Sequence, residues 1–195
     1  MRFRARHGNR QLRNADTGRR PRQRQRRRLD LSDTSVATEA DGGGIFNHPQ
    51  GSLKLQRTRI TDNHTVVTAT NAQFAQGGGI YTDGRLTVEL GVVSGNSAEV
   101  STSIPSSFPF DVQTEANAGG IRISEFPGAS ATITGARISG NRVDSFNSGG
   151  DVQATNGGID DDGSLSLIGS SVDHNTVNAA APPLSGFLAG AIDGG

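Results

Sequence analysis

The residues of this chain best suited to acid–base chemistry are aspartates in two glycine-containing segments. The run Asp160–Asp162 stands immediately before Gly163, and Asp83 stands immediately before Gly84. A polysaccharide hydrolase needs two carboxylates facing one groove, about 6.5–9.5 Å apart for inverting chemistry. Aspartate is also common in turns, where its carboxylate bonds the local backbone. Because both segments lead directly into a glycine, the turn role is favoured, and we predict no catalytic residues and no enzyme.

Lyase and metal chemistry find no more support in the sequence. A lyase would need calcium-binding acids and a basic residue on one face, whereas Arg122 and Arg137 are isolated from acidic clusters in the sequence. A zinc site needs three or four convergent ligands. The chain has no cysteine, and its four histidines are scattered: His7, His48, His64 and His174. We therefore predict no metal site and no bound cofactor.

A repeat organises most of the chain and must position any functional group. Each copy contains an aliphatic-x-aliphatic core, then an aliphatic residue, and then an asparagine three residues later. The four copies run through Leu53, Leu55, Ile60 and Asn63; Leu86, Val88, Val93 and Asn96; Ala131, Ile133, Ile138 and Asn141; and Leu165, Leu167, Val172 and Asn175. Glycines and an isoleucine precede each copy, at Gly42–Ile45, Gly77–Ile80, Gly119–Ile121 and Gly157–Ile159.

The repeat predicts an all-β fold, a right-handed single-stranded parallel β-helix of about four to five coils. The alternation in the core is typical of a half-buried strand, and the opening isoleucine and the third aliphatic residue indicate two further short strands. We expect three strands and about 20–25 ordered residues in each coil. The stretches 97–118 and 142–156 are then predicted to be loops that leave the coil.

Two residue types in the repeat have predicted structural roles. Asparagine tolerates a left-handed backbone, and its amide both donates and accepts hydrogen bonds. Stacked at one corner, the repeat asparagines are expected to form a ladder: Asn63, Asn96, Asn141 and Asn175. The glycines before each core are expected to supply a positive φ at another corner: Gly51, Gly84, Gly128 and Gly163.

Charge divides the chain near Arg28. Residues 1–28 hold twelve Arg and one acid, whereas residues 29–195 hold seven basic and eighteen acidic residues. We predict a disordered arginine-rich tail over 1–28 and a β-helix domain over 29–195. The segment Leu29-Asp-Leu31, Val36 and Glu39 repeats the core spacing, which indicates a piece of a longer array. The tail lacks interleaved aromatics, so a nucleic-acid partner is not favoured, and no apolar run predicts a signal peptide or a membrane-spanning helix.

These motifs resemble the parallel β-helix repeats of polymorphic outer membrane proteins, which share their fold with the pectate-lyase-like superfamily. That resemblance rests on the Gly-Gly-Ile openings and the aliphatic-x-x-Asn closings over residues 29–195. It implies a secreted or cell-surface protein that serves adhesion or carbohydrate contact through loops such as 98–118, with surface carbohydrate or a host or cell-surface protein as the partner. The serine- and threonine-rich coil face suits polar contacts: Thr87, Ser124, Thr132 and Ser166. A polysaccharide lyase or hydrolase is the alternative, and a truncated fragment without independent function is the third hypothesis.

Overall fold

The protein is a parallel β-solenoid of about five coils. The computed structural model describes residues 22–23, 26–31, 38–69, 72–103, 113–148, 151–181 and 189–192, with side chains in 39–68, 74–103, 113–148 and 151–181. In these ranges the regular structure consists of strands, and each strand pairs in parallel with its equivalents in the neighbouring coils. The predicted all-β parallel β-helix is confirmed.

The strands form five sheets, which we number in the order in which the chain passes through them within one coil. Sheets 1–3 form one side of each coil. Sheet 1 contains β4 (Ile45–Asn47), β9 (Ile80–Thr82), β14 (Ile121–Ile123) and β19 (Ile159–Asp161). Sheet 2 contains β5 (Ser52–Gln56), β10 (Arg85–Glu89), β15 (Ser130–Thr134) and β20 (Leu165–Ile168). Sheet 3 contains β1 (Arg22–Gln23), β6 (Arg59–Thr61), β11 (Val92–Ser94), β16 (Arg137–Ser139) and β21 (Ser171–Asp173).

The other two sheets form the second side of each coil. Sheet 4 contains β2 (Arg26–Leu31), β7 (His64–Ala69), β12 (Ser97–Thr102), β17 (Arg142–Asn147) and β22 (Thr176–Ala180). Sheet 5 contains β3 (Thr38–Asp41), β8 (Ala72–Gln76), β13 (Thr114–Asn117), β18 (Val152–Thr155) and β23 (Ala189–Ile192).

A coil therefore has five strands, and the prediction of three was wrong. The stretches 97–118 and 142–156, predicted to be loops, contain strands of sheets 4 and 5. Their inward residues are small or polar, as at Ala98, Val100 and Thr102, so the alternation lacks the large aliphatics that mark sheet 2. Residues 104–112 and 149–150, between these strands, lie outside the described residues.

Inward side chains stack in columns that run from coil to coil. Leu55 pairs with Val88, Val88 with Ile133, and Ile133 with Leu167, as the repeat predicts. Val88 and Ile133 are almost fully buried, whereas Leu167 is 45% exposed because no strand of sheet 2 follows β20 among the described residues. Neighbouring strands lie about 4.8 Å apart, so each column holds aliphatic side chains in direct contact.

The interior is divided into two apolar cores. Sheets 1–3 enclose one core of Ile, Val and Leu side chains together with a few alanines, and sheets 4 and 5 enclose a narrower core of valines and alanines. Between the two cores the backbone of the opening glycines approaches sheet 4 closely. A Cβ added at Gly78 would lie 2.4 Å from the carbonyl carbon of Ser97, and one added at Gly119 would lie 2.4 Å from the oxygen of Arg142. The opening glycines therefore allow each coil to narrow between the two cores, and we call this narrow region the waist.

Three of the corners in each coil are built on residues with left-handed backbone. The first corner, after sheet 2, uses Arg57, Leu90, Gly135 and Gly169. The second corner, after sheet 3, uses Asp62, Gly95, Gly140 and His174. The third corner, after sheet 5, uses Gly42, Gly77, Ala118 and Asn156. Among the described residues, only Gln50 and Gly128 have a positive φ outside these columns. The same backbone reversal thus recurs in successive coils even where the residue is not glycine, at a cost of about 1–2 kcal/mol each.

The N-terminal strands begin before the expected boundary at Leu29. Arg22 pairs with Arg59 in sheet 3, and the strand Arg26–Leu31 pairs with β7 in sheet 4. Leu29 lies opposite Val67, and Glu39 lies opposite Phe74 in sheet 5, so this segment does not form the sheet 2 core and asparagine position that its spacing predicted. The remainder of the predicted tail, residues 1–21, 24 and 25, lies outside the described residues. No helix in the described part of the chain is long and apolar enough to cross a membrane.

Candidate functional site

The repeat asparagines stack into a ladder at the waist. Nδ2 of Asn63 donates to Oδ1 of Asn96 at 2.9 Å, and the backbone N–H of Asn63 donates to the same oxygen at 3.0 Å. The arrangement repeats from Asn96 to Asn141 and from Asn141 to Asn175. The first three ladder asparagines are fully buried or nearly so. Such hydrogen-bonded amides hold coils together and offer no reactive group.

The left-handed residue at this corner is not the asparagine. It is the residue before each asparagine, with φ of 59° at Asp62, 65° at Gly95, 64° at Gly140 and 54° at His174. The prediction of a left-handed asparagine was wrong by one position. The asparagine itself directs its amide inward, where Nδ2 of Asn96 also donates to the carbonyl oxygen of Ile60 at 3.0 Å.

The glycines predicted to supply a positive φ before each core do so only once. Gly128 has a φ of 93°, whereas the φ angles of Gly51, Gly84 and Gly163 are not in the left-handed region. Their requirement is close approach: a Cβ at Gly51 would lie 2.4 Å from Oδ1 of Asn47, and one at Gly84 would lie 2.4 Å from the oxygen of Gly51. At Gly163 the nearest atom would be the oxygen of Ala129, at 2.7 Å. The turn is therefore too crowded for a side chain.

Two of the four predicted carboxylates lie beside Arg122 of sheet 1. Its guanidinium forms ion pairs with Asp160 and Asp162 in the next coil, and its Nε donates to Oε1 of Gln76 at 3.2 Å. The side chains of Arg122 and Asp160 are only 11% and 10% exposed. Burial alone would lower the pKa of Arg122, but the charge of Asp160 and the bonded carboxylate of Asp162 raise it above its usual value. Sequence reasoning treated Arg122 as isolated because its partners lie 38 and 40 residues away.

Tyr81 stacks on the outer side of sheet 1, between Phe46 and Arg122 in the strand register. The rings of Phe46 and Tyr81 are parallel, with centroids 5.1 Å apart. Burial, followed by the nearby charges of Asp41 and Asp83, raises the pKa of Tyr81 well above its usual 10.0. The folded protein therefore keeps the phenol neutral at an alkaline pH where a solvated tyrosine would ionise.

Asp83 lies in the turn after sheet 1, where it positions the turn of the following coil. Oγ of Ser124 donates to Oδ1 of Asp83 at 2.6 Å and accepts the backbone N–H of Phe126 at 3.2 Å. The N–H of Ala129 then closes the turn on the carbonyl oxygen of Phe126 at 2.9 Å. Asp161 has the local role that its turn placement predicts, since its Oδ1 accepts the N–H of Gly163 at 3.0 Å.

The turn at residues 125–128 forms one wall of a shallow depression on the outer face of sheet 2. Phe126 projects from this turn and is 45% exposed. The rest of the lining includes four hydroxyl groups and one cation, contributed by Thr87, Ser130, Thr132, Ser164 and Arg85. Thr87, Thr132 and Ser166 lie in register on this face, as the sequence suggested, whereas Ser124 lies in the turn and is buried. An exposed aromatic ring beside a row of hydroxyls is suited to binding a ligand with both C–H and O–H surfaces.

The described side chains contain no group of three or more His, Asp or Glu residues placed to hold a metal ion. His64 and His174, one residue after and one residue before a ladder asparagine, have separate partners. Nδ1 of His64 lies 2.7 Å from Oγ of Ser97, and that of His174 lies 2.8 Å from Oδ1 of Asp173. No histidine lines the depression, which is a polar and aromatic surface without a preformed metal centre among the described residues.

No local pattern in the sequence indicates the depression, because its parts come from three coils. Comparison with protein-family models, curated proteins and solved structures gives no match for this chain.

Proposed function

We propose that this chain is a non-enzymatic β-solenoid segment of a secreted or cell-surface repeat protein, and that the depression beside Phe126 contacts carbohydrate. The likeness of the Gly-Gly-Ile openings and closing asparagines to polymorphic outer membrane protein repeats supports the cellular location. The structural use of both motifs supports a scaffold role. The ladder asparagines bond one another, and the glycines permit the waist.

The observation that carries the proposal is the exposed ring of Phe126 next to in-register hydroxyls. Phe126 is 45% exposed and borders the same depression as Thr87 and Thr132. A sugar ring presents an apolar C–H face, which packs on an aromatic ring, and equatorial hydroxyls, which hydrogen-bond to side-chain hydroxyls. The chain of hydrogen bonds from Asp83 through Ser124 holds the aromatic turn in place. Preorganisation of this kind lowers the cost of binding.

The test compares two exposed phenylalanines. Phe126→Ala removes the ring from the depression, and Phe146→Ala removes a ring of similar exposure, 42%, from the outer face of sheet 4. The full chain and both variants are run through polyacrylamide gels containing soluble polysaccharides, and binding oligosaccharides are then titrated by calorimetry. We expect Phe126→Ala to weaken binding about tenfold, which corresponds to about 1.4 kcal/mol, and Phe146→Ala to leave it unchanged.

Three results would overturn the proposal. The first is equal binding by the protein and its Phe126→Ala variant with unchanged far-ultraviolet circular dichroism. The second is no retardation in any polysaccharide gel. The third is binding to a cell-surface protein in place of a glycan.

A polysaccharide-cleaving enzyme is the second candidate, because Asp83 and Asp162 flank Ser124 at equivalent turn positions of successive coils. Two coil steps place their backbones about 10 Å apart, near the upper end of the range for inverting glycosidases. The contacts favour structural use, since Asp83 accepts from Ser124 and Asp162 pairs with Arg122. Steady release of reducing ends or unsaturated products from polysaccharides, abolished in Asp83→Asn, would establish the enzyme in place of the scaffold.

A further inference from the structure

The outer face of sheet 2 changes in charge along the solenoid axis. Coils that contain β5 and β10 contribute Lys54, Arg85 and Glu89, and Nζ of Lys54 lies 2.7 Å from Oε1 of Glu89. The next two strands are uncharged on this face. Their outward residues are hydroxyl-bearing except for one isoleucine, as seen at Ser130, Thr132, Thr134, Ser166 and Ile168.

One carboxylate lies in the depression next to sheet 1, and two others lie in the turns nearby. Glu125 lines the depression, and Asp83 holds the aromatic turn through Ser124. Asp162 lies in the equivalent turn of the next coil, with its side chain 48% exposed, and it is already paired with Arg122. Among the side chains that the structure describes, Arg85 is thus the single cation that lines the depression, and Glu125 is the single acid.

From this distribution we propose that the depression selects uncharged glycans and rejects polyuronates. The inference rests on the proposed function and names the ligand class of the same site. Each residue of a polyuronate carries a carboxylate, so its recognition requires Arg or Lys side chains repeated along the binding face. The described face supplies one cationic position in the depression, at Arg85, followed by two strands of mainly hydroxyl-bearing residues, and its lining also holds the carboxylate of Glu125. A polyuronate carboxylate brought near Glu125 would be repelled, which opposes binding. The hydroxyls of Thr and Ser form hydrogen bonds with neutral sugar hydroxyls, and no charge has to be desolvated.

The experiment uses the full chain with two sets of probes. The neutral probes are cello-, manno- and xylo-oligosaccharides, and the anionic probes are polygalacturonate and alginate oligomers. Binding is measured by calorimetry and by gel retardation at low and at physiological ionic strength. We expect binding to at least one neutral series with an affinity that salt changes less than about twofold. The twelve arginines of residues 1–28 attract polyanions by themselves, so the charge selection predicts that any polyuronate binding at low salt is equal in Phe126→Ala and in the unmodified protein.

A gain-of-charge variant provides the matched control. In Thr132→Lys/Ser166→Lys, two cations are added in the column of Thr87, on outward side chains of the two strands that follow β10, β15 and β20. We expect this variant to bind polyuronate more tightly than the unmodified protein does, and the added affinity should weaken about tenfold from low to physiological salt. Thr132→Gln/Ser166→Gln, which adds length without charge, should not acquire it.

The two kinds of failure are distinguishable. Salt-sensitive binding of polyuronate that Phe126→Ala weakens would overturn the charge selection while leaving carbohydrate contact at Phe126 standing. Absence of binding to every neutral probe, with no Phe126-dependent binding of an anionic probe, would overturn the proposed function itself, and the selection with it.

Discussion

The α-carbon of Gly79 packs against the carboxamide of Asn96, so that a Cβ at residue 79 would lie 3.0 Å from Nδ2. The same relationship joins Gly44 to Asn63, Gly120 to Asn141 and Gly158 to Asn175. The opening glycines and the closing asparagine of the repeat are thus two sides of one contact at the waist. This explains why both motifs recur together: the amide ladder fits only where the opposite backbone has no side chain.

Replacing Gly79 by alanine should therefore destabilise the solenoid more than replacing a left-handed glycine in open space. A Cβ at Gly79 would lie 2.6 Å from the backbone oxygen of Gly120, which cannot rotate away. Gly140 has a φ of 64°, but a Cβ added there would meet nothing within 4 Å, so Gly140→Ala incurs backbone strain alone. We expect a loss of about 3 kcal/mol or more for Gly79→Ala and about 1 kcal/mol for Gly140→Ala in urea denaturation. Equal losses would contradict the waist contact.

Removing one ladder asparagine should leave buried donors and acceptors unmatched. In Asn96→Ala, the N–H and Nδ2 of Asn63 lose their acceptor, and Oδ1 of Asn141 loses its side-chain donor while it keeps the backbone N–H of position 96. We expect the unfolding free energy to fall by about 1–3 kcal/mol for each group left unsatisfied. The control is Asn178→Ala, whose exposed amide bonds Asp144 at 3.4 Å and should contribute little. Equal melting temperatures of the two variants would show that the ladder does not contribute to stability.

The titration of Tyr81 offers a direct reading of the fold, because it is the only tyrosine in the chain. Its pKa is raised by burial and by neighbouring carboxylates, so the folded state favours the neutral phenol. By linkage, this stabilisation is fully present below the unfolded pKa near 10.0 and is lost as the pH rises above that value toward the folded pKa. Phenolate absorbance measured within milliseconds of a pH jump should therefore appear at higher pH for native than for urea-unfolded protein. Coincident titration curves would show that the ring is solvated.

Arg122 should matter far more to stability than Arg137. Arg122→Met leaves the carboxylate of Asp160 buried without its cation, and breaking a buried pair on one side costs about 3 kcal/mol. Arg137 is 60% exposed and bonds Asp173 at 3.3 Å, so Arg137→Met should leave the urea midpoint unchanged. The double variant Arg122→Met/Asp160→Leu should recover much of the loss, since it removes both charges. If Arg122→Met is as stable as the unmodified protein, and the double variant is no more stable, the pair is not structurally important.

Position along a column should decide what a core truncation costs. Ile133 and Leu167 are neighbours in sheet 2, but Ile133 is fully buried between two coils and Leu167 is 45% exposed. Ile133→Ala should cost about 3 kcal/mol because it leaves a cavity, whereas Leu167→Ala should cost less than about 1 kcal/mol. Similar thermal melting of the two variants would mean that another surface covers Leu167 in solution.

The sequence alone determined the solenoid, because its repeat records what each coil needs for itself. The alternating aliphatics specify sheet 2, the third aliphatic residue specifies sheet 3, and the asparagine specifies the ladder, as found at Val88, Val93 and Asn96. Such requirements are local in sequence, and they recur with every coil, so a period of about 35 residues reveals them. Sheets 4 and 5 were missed because their inward residues, such as Ala98 and Ala116, are too small to mark a core by pattern.

Which side chains meet between coils depends on the fold and not on any local pattern in the sequence. Arg122 finds Asp160 at a separation of 38 residues and Ser124 finds Asp83 at 41, whereas ladder neighbours such as Asn96 and Asn141 are separated by 45. These separations vary because the connections within coils vary in length, so sequence spacing does not give the register across coils. The depression at Phe126 depends on that register, since parallel pairing, fixed by backbone hydrogen bonds, aligns β10 with β15 and sets the turn beside them.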